Sequence, residues 1–287
     1  MKNLIELINK KLDDYIEITY PEKLFQSIKY TVLLPGKRLR PIMCIETCRM
    51  LGGNIEDAIP TACAIEMLHS QTLIHDDLPC MDNDDYRRGK LTNHKVFGEA
   101  TAVLAGDAIL TLAPQVIMKN SNFSSETLIK VLAEYFQYAG AYGVIAGQVI
   151  DIESEHKKPQ NPEETLEYIH THKTADLFKL SMRTGAIIAN ATDEELENIT
   201  DFAQKLGLAF QIADDILDEI SSFEEMGKTL GKDKNSGKLT YVSLYGLDNA
   251  KCKLTCLLDE CYDRMEKSSI FREIIIDIRK RVKIGNN

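Results

Sequence analysis

Apolar residues recur along this chain at intervals of three and four. Leu4, Ile5, Ile8, Leu12 and Ile16 form one such stripe, which predicts an amphipathic first helix. Pro21 stands where a second helix can start, because the N–H it lacks has no partner in a first turn. Pro35-Gly36 ends that helix, Pro41 opens a third, and Gly52-Gly53 ends it. A long helical pattern runs from about Asn54 to Asp77. Others cover roughly 99–118, 124–150, 162–190, 193–220 and 240–282, some of them broken in two. Alternating strand patterns are nearly absent. The chain therefore reads as all-α, about ten or more helices in a single domain over residues 1–287. Charge, Gly and Pro gather in three loops, 78–98, 154–162 and 221–240.

Composition agrees with a packed bundle. Of 287 residues 44% are apolar, enough to bury one sizeable core. Lys plus Arg number 34 against 44 Asp plus Glu, a formal charge of −10. Such a balance argues against nucleic acid and against anionic membrane surfaces, both of which need a basic face. The seven cysteines are odd in number and contain no C-x-x-C, so they read as small buried or half-buried thiols in a reducing compartment. The N-terminus has no secretory pattern, and the apolar runs read as far short of the roughly 20 residues a bilayer requires. A soluble, cytoplasmic protein with no integral membrane association is expected.

Two acidic clusters change the picture from solubility to chemistry. The first is Asp76-Asp77-Leu78-Pro79-Cys80-Met81-Asp82-Asn83-Asp84-Asp85, followed by Tyr86-Arg87-Arg88-Gly89. Pro79 disfavours helix at Leu78, so the preceding helix ends here, and its negative C-terminal end makes adjacent carboxylates worse. Arg87 and Arg88 offset part of that charge, and a hard divalent cation can offset more. The second cluster, Asp214-Asp215-Ile216-Leu217-Asp218, lies inside a strongly helical segment. With Gln211 these aspartates share one helix face, where like charges destabilise unless they bind something. The flanking Leu208, Phe210, Ile212, Ile216 and Leu217 place that face in a packed bundle. Two aspartate-rich helix segments in an all-α chain suggest facing Mg2+ clamps on a diphosphate.

The motifs GKRLRP (36–41), HDDLPCMDNDDYRRG (75–89), AGDA (105–108), GQVID (147–151), HKT (172–174), FQIADDILD (210–218) and GKLTY (237–241) span most of the chain. Together they resemble the trans-prenyl diphosphate synthases. The resemblance implies an all-α helical barrel around a central cavity, usually a homodimer. It implies that Asp76, Asp82, Asp214 and Asp218 ligate about three Mg2+ ions, with Asp77 and Asp215 as ligands or their supports. Arg87, Lys173 and Lys228 would grip an allylic diphosphate, with Lys238 near it. Gln211 and Thr174 would hydrogen-bond near the reacting carbons. Lys37, Arg40, His69 and Arg88 would hold isopentenyl diphosphate without metal. The catalytic set implied is Asp76, Asp77, Asp82, Arg87, Lys173, Asp214, Asp215 and Lys228.

In such enzymes the residue five positions before the first Asp helps floor the cavity, and an aromatic there stops growth at fifteen carbons. Here it is Gln71. No ring blocks growth, but Gln is polar and of moderate length, and an apolar chain passes it reluctantly. The sequence alone thus favours farnesyl diphosphate as product, with geranylgeranyl diphosphate as the alternative. Leu239 departs from the Ser usual in that loop. Among rival classes, Gly227-Lys228-Thr229 imitates the end of a phosphate-binding loop, but Ser222 stands where its first Gly belongs. A terpene cyclase would carry Ser or Thr where Asp218 stands. A non-catalytic partner subunit usually lacks one aspartate motif, and both are intact here.

Overall fold

The computed structural model describes residues 1–156, 159–220 and 238–283. The chain opens with α1 (Lys2–Tyr15), α2 (Glu22–Val32), α3 (Leu39–Met50) and α4 (Ile55–Asp76). The stripe on α1 is real: Ile8 and Leu12 are fully buried. Pro21 sits at the N-cap of α2 and Pro41 in the first turn of α3, where a missing N–H costs nothing. Asn54 caps α4 by accepting from the Glu56 N–H at 3.2 Å.

Loop 78–98 is more ordered than its composition predicts. It holds a two-stranded hairpin, β1 (Tyr86–Arg87) and β2 (Lys90–Leu91), and a short α5 (Asn93–Phe97). The hairpin turn is Arg88-Gly89, both with positive φ (54° and 75°), which is the backbone a two-residue hairpin requires. Asn93 anchors the segment to α2. Its oxygen accepts from the Ser27 hydroxyl at 2.8 Å, and its NH2 donates to Ser27 O and to Thr31 Oγ1, both at 2.9 Å.

The remaining elements are α6 (Glu99–Asn120), α7 (Ser125–Ala139), α8 (Val144–His156), α9 (Pro162–Ile169), a π-helical turn (His170–Ala175), α10 (Asp176–Ile188), α11 (Asp193–Ile220), α12 (Tyr241–Tyr245), α13 (Leu247–Arg264) and α14 (Ser269–Arg281). The pattern expected over 124–150 is broken at 140–143, where Gly140 and Gly143 interrupt it. That over 240–282 is broken at Gly246 and again after Met265. The wide turn at 170–175 leaves no trace in apolar spacing. Such turns concentrate at functional sites.

Helices α4 and α10 occupy the centre. α4 packs on α3 and α6, and α10 on α3, α7 and α11. One buried apolar cluster runs from Ile8 to Val282. Deleting a single buried Leu from such a cluster costs about 2–5 kcal/mol. Two expectations need correction. Helix α6 is long and apolar enough by itself to cross a membrane, because Ala, Val, Ile and Leu fill it; in the structure it packs against α4. Of the cysteines, Cys44, Cys48, Cys63 and Cys261 are buried, but Cys80, Cys252 and Cys256 are exposed.

Candidate active site

Helix α4 ends where Pro79 forbids its continuation, and the chain then folds back under its own end. The Asp82 N–H donates to Asp76 O at 2.8 Å and the Asp84 N–H to Asp77 O at 3.2 Å, which satisfies carbonyls the helix leaves open. The four residues between Asp77 and Asp82 are thereby used up in a closed turn, and Asp82 comes beside Asp76. Asp77 turns away. It is 2% exposed and accepts from Arg87 Nε at 2.9 Å and from Arg87 Nη2; Arg87 also reaches Asp84 at 3.3 Å. Burial raises the Asp77 carboxyl to about 6 and outweighs Arg87.

Asp76, Asp82, Arg87, Lys173, Gln211, Asp214, Asp215, Asp218 and Lys238 all line one cavity of about 400 Å3. The second cluster therefore does present one face, and that face looks across at the first. A second cavity of about 660 Å3 adjoins it, lined by Lys37, Arg40, His69, Arg88 and Thr174; Arg87, Gln211 and Asp214 belong to both walls. Asp77 lines neither. Lys228 lies outside the described residues.

Hydrogen bonds fix much of the interior. Thr174 Oγ1 donates to Gln211 Oε1 at 2.6 Å, and Gln211 Nε2 donates to Asp215 Oδ1 at 2.8 Å. The other Asp215 oxygen accepts from the Tyr241 N–H at 2.7 Å and lies 3.3 Å from His170 Nε2. Asp215 is thus a buried hub tying α11 to the π turn and α12. Asp214 pairs with Arg281 of α14 at 3.0 Å, and Lys37 with Asp277 of the same helix at 2.5 Å.

Charge is balanced separately in the two cavities. Burial pushes the Asp76 carboxyl up; Lys173 opposes this and Asp82 adds to it. Asp151, 2% exposed on α8, accepts from Lys173 and lies 3.5 Å from Lys238. Burial alone would raise its carboxyl, but the two ammonium groups outweigh it and hold it below the ordinary value. In the second cavity burial, then Arg40 and Arg88, drive His69 far down, so its imidazole is neutral at pH 7. Burial lowers Arg40 to about 10, which still leaves it charged.

The donors suit Mg2+. Seven aspartates in the first cavity wall (76, 82, 84, 151, 214, 215 and 218) offer hard oxygens, yet among the described residues no three acidic, imidazole or thiol groups converge on one point. Mg2+ is commonly held by one or two carboxylates plus substrate phosphates, not by an all-protein cage.

The polyprenyl synthetase family model matches residues 21–278. The chain belongs to this family. Over 257 residues it is 46% identical to a dimethylallyltranstransferase of Fischerella ambigua, covering 89% of this chain and 74% of that one. Over 259 residues it is 45% identical to geranylgeranyl pyrophosphate synthase 7 of Arabidopsis thaliana, covering 90% and 75%. The Helicobacter pylori geranyltransferase complexed with magnesium and isoprenyl diphosphate superimposes with a TM-score of 0.84 at 32% identity, covering 99% of this chain and 96% of that one. This polyprenyl synthetase is a prenyltransferase with the isoprenoid synthase fold.

Sequence reasoning missed Asp151, Glu155, His170 and Arg281, which all line the two cavities of this synthetase. Asp151 and Glu155 stand four apart on α8, so helix spacing could have paired them. For Arg281, 67 residues from Asp214, no local signal exists.

Proposed function

We propose that the protein is a Mg2+-dependent, short-chain all-trans prenyl diphosphate synthase. It condenses isopentenyl diphosphate with dimethylallyl and longer allylic diphosphates, as one synthase domain over residues 1–287. The observation that carries this reading is the convergence of the two aspartate segments on one cavity that shares a wall with a second, arginine-lined one. Asp76, Asp82, Asp214 and Asp218 would hold Mg2+, about three ions, which would supply the positive charge that offsets the leaving diphosphate. Arg87, Lys173, Lys228 and Lys238 hold the diphosphate oxygens, Arg87 as a planar fork and the lysines as point charges. Lys37, Arg40, His69 and Arg88 hold isopentenyl diphosphate. Gln211 and Thr174, bonded to each other at the shared wall, orient the reacting carbons. The allylic C–O bond breaks and pyrophosphate leaves with its electron pair. The double bond of isopentenyl diphosphate attacks the allylic cation, and the departing pyrophosphate takes the proton. Asp77 acts through Arg87, and Asp215 through Gln211 and Tyr241.

For the product, the state of Gln71 matters. His75 Nε2 lies 3.2 Å from Val103 O, an acceptor only, so that nitrogen carries the proton. His75 Nδ1 then accepts from Gln71 Nε2 at 3.0 Å. One N–H of the amide is engaged on its own helix, which lowers the resistance to an apolar chain that favours fifteen carbons from sequence alone. With no ring at this position, twenty carbons is the better reading, and farnesyl diphosphate is the alternative. Incubation with labelled isopentenyl diphosphate, dimethylallyl diphosphate and Mg2+ is expected to give mainly geranylgeraniol after dephosphorylation. Gln71→Phe is expected to shift the main product to farnesol. A dominant farnesol peak from the unaltered chain restores the alternative, and no consumption of isopentenyl diphosphate overturns the function.

A homodimer is the expected assembly. Helices α6 and α7 expose Leu104 (60%), Met118 (58%), Ile129 (68%) and Phe136 (58%), apolar side chains that a second copy would cover. Sedimentation at micromolar concentration is expected to give twice the chain mass of 32.4 kDa. A stable species of single-chain mass overturns this.

A further inference from the structure

Arg38, in the middle of GKRLRP, has no role in the reading above, yet it is the most constrained residue of its loop. It is 2% exposed and adopts φ 51°, the left-handed region that non-glycine residues rarely enter. Each of its three guanidinium nitrogens donates to the protein. Nη1 donates to Glu66 Oε1 at 2.7 Å, Nε to Asn9 Oδ1 at 2.8 Å and Nη2 to Leu34 O at 2.8 Å. One side chain thus ties together α1, the end of α2 and α4. Glu66, 1% exposed, is its buried partner, and His69 stands one turn further along the same helix.

The neighbours of this knot are the four residues assigned to isopentenyl diphosphate. Lys37 and Arg40 flank Arg38 in the chain. Leu34 O, which Arg38 holds, also accepts from Arg88 Nη1 at 3.5 Å. A Cβ at Gly36 would lie 2.7 Å from Arg88 Nη1, so the loop backbone and the Arg88 guanidinium pack closely here, and a side chain at 36 would make that guanidinium shift. Arg88 thus meets the knot at Leu34 O, Lys37 and Arg40 share the backbone segment that Arg38 pins, and His69, three residues from Glu66 on α4, lies 3.4 Å from Arg40 Nη1.

Arg38 and Glu66 belong to the wall of the second cavity, but all three Arg38 guanidinium nitrogens are engaged on protein acceptors. We propose that Arg38 is a positioning residue for isopentenyl diphosphate, acting through Lys37, Arg40 and Arg88 and not by contact with phosphate. This rests on the assignment of the second cavity to that substrate. Lysine at this position keeps the charge but cannot reach three acceptors in three directions. Arg38→Lys is expected to raise KM for isopentenyl diphosphate roughly tenfold or more, the worth of one charge-assisted hydrogen bond, and to leave KM for dimethylallyl diphosphate within about twofold. Asn9→Ala removes one strand of the knot from α1, outside both cavity walls. It is expected to raise the same KM by a smaller factor, about threefold, again selectively.

An unchanged KM for isopentenyl diphosphate in Arg38→Lys overturns the proposal, and so does an equal rise for both substrates in either variant. If Arg38→Lys does not fold, Asn9→Ala decides alone: a selective rise supports the brace and no rise sinks it. The functional reading is tested separately, by turnover of the unaltered chain with both substrates and Mg2+. Its failure shows there, before any variant is compared.

Discussion

Asp76→Ala and Asp214→Ala are each expected to lower kcat by roughly 10³-fold while the protein stays folded. Both carboxylates line the first cavity, one from each aspartate segment. Each would supply an oxygen to the cations that stabilise departing pyrophosphate, a charge that grows as the C–O bond breaks. An interaction of that kind lowers the barrier more than it aids binding. Removing it therefore acts on kcat at saturating substrate and Mg2+. Stability suffers little, because Asp214 has a side chain 38% exposed and its partner Arg281 keeps its place over the Phe210 ring, 5.6 Å from the centroid. The check is steady-state turnover beside a thermal melt of the same sample. A folded variant with near-normal kcat removes its aspartate from the metal set. Asp77→Ala makes an informative comparison. Asp77 faces Arg87, not the cavity, so its loss should act mainly by freeing that arginine.

Gly147→Val is expected to damage fold and activity together. A Cβ on Gly147 would fall on the backbone nitrogen of Lys173, well inside contact distance. The obstacle is main chain, so no side chain can rotate away, and α8 must move off the π turn. Overpacking of this kind costs about 1–3 kcal/mol, and more where backbone resists. The same displacement separates Asp151 on α8 from Lys173, whose ammonium it holds. Misplacing a substrate-holding group by about 1 Å can cost on the order of 10²-fold in rate. A thermal midpoint lower by several degrees, with kcat down by about that factor, is the expected pair of results. A variant with unchanged melting and unchanged turnover contradicts the close approach.

These substitutions also mark what a sequence can disclose. The aspartate clusters are legible because their partners lie within a helical turn of one another, where spacing fixes the face. That Gln211, Asp214, Asp215 and Asp218 point into one cavity follows from positions three and four apart. The helices are legible for the same reason. Nothing in the spacing says that Asp151 receives Lys173 and Lys238, or that Asp214 meets Arg281. Those pairs join residues 22, 87 and 67 positions apart, and only packing decides them. Nor does composition show that the charged loop after Pro79 is a bonded turn and a hairpin. Its order comes from main-chain bonds and from Asn93 and Thr92 side chains whose partners lie elsewhere in the chain. Gly147 stands in GQVID, but its work is to let the backbone of Lys173 come close, a relation between distant segments.

The turn that brings Asp82 beside Asp76 is closed by main-chain bonds, with Pro79 and Cys80 exposed at its tip. In the descent of such proteins, letters at that tip are cheap to exchange. A change of length by one residue is not, since it would carry Asp82 out of register with Asp76. Lineages are thus expected to differ in the spelling of this segment and to share its count.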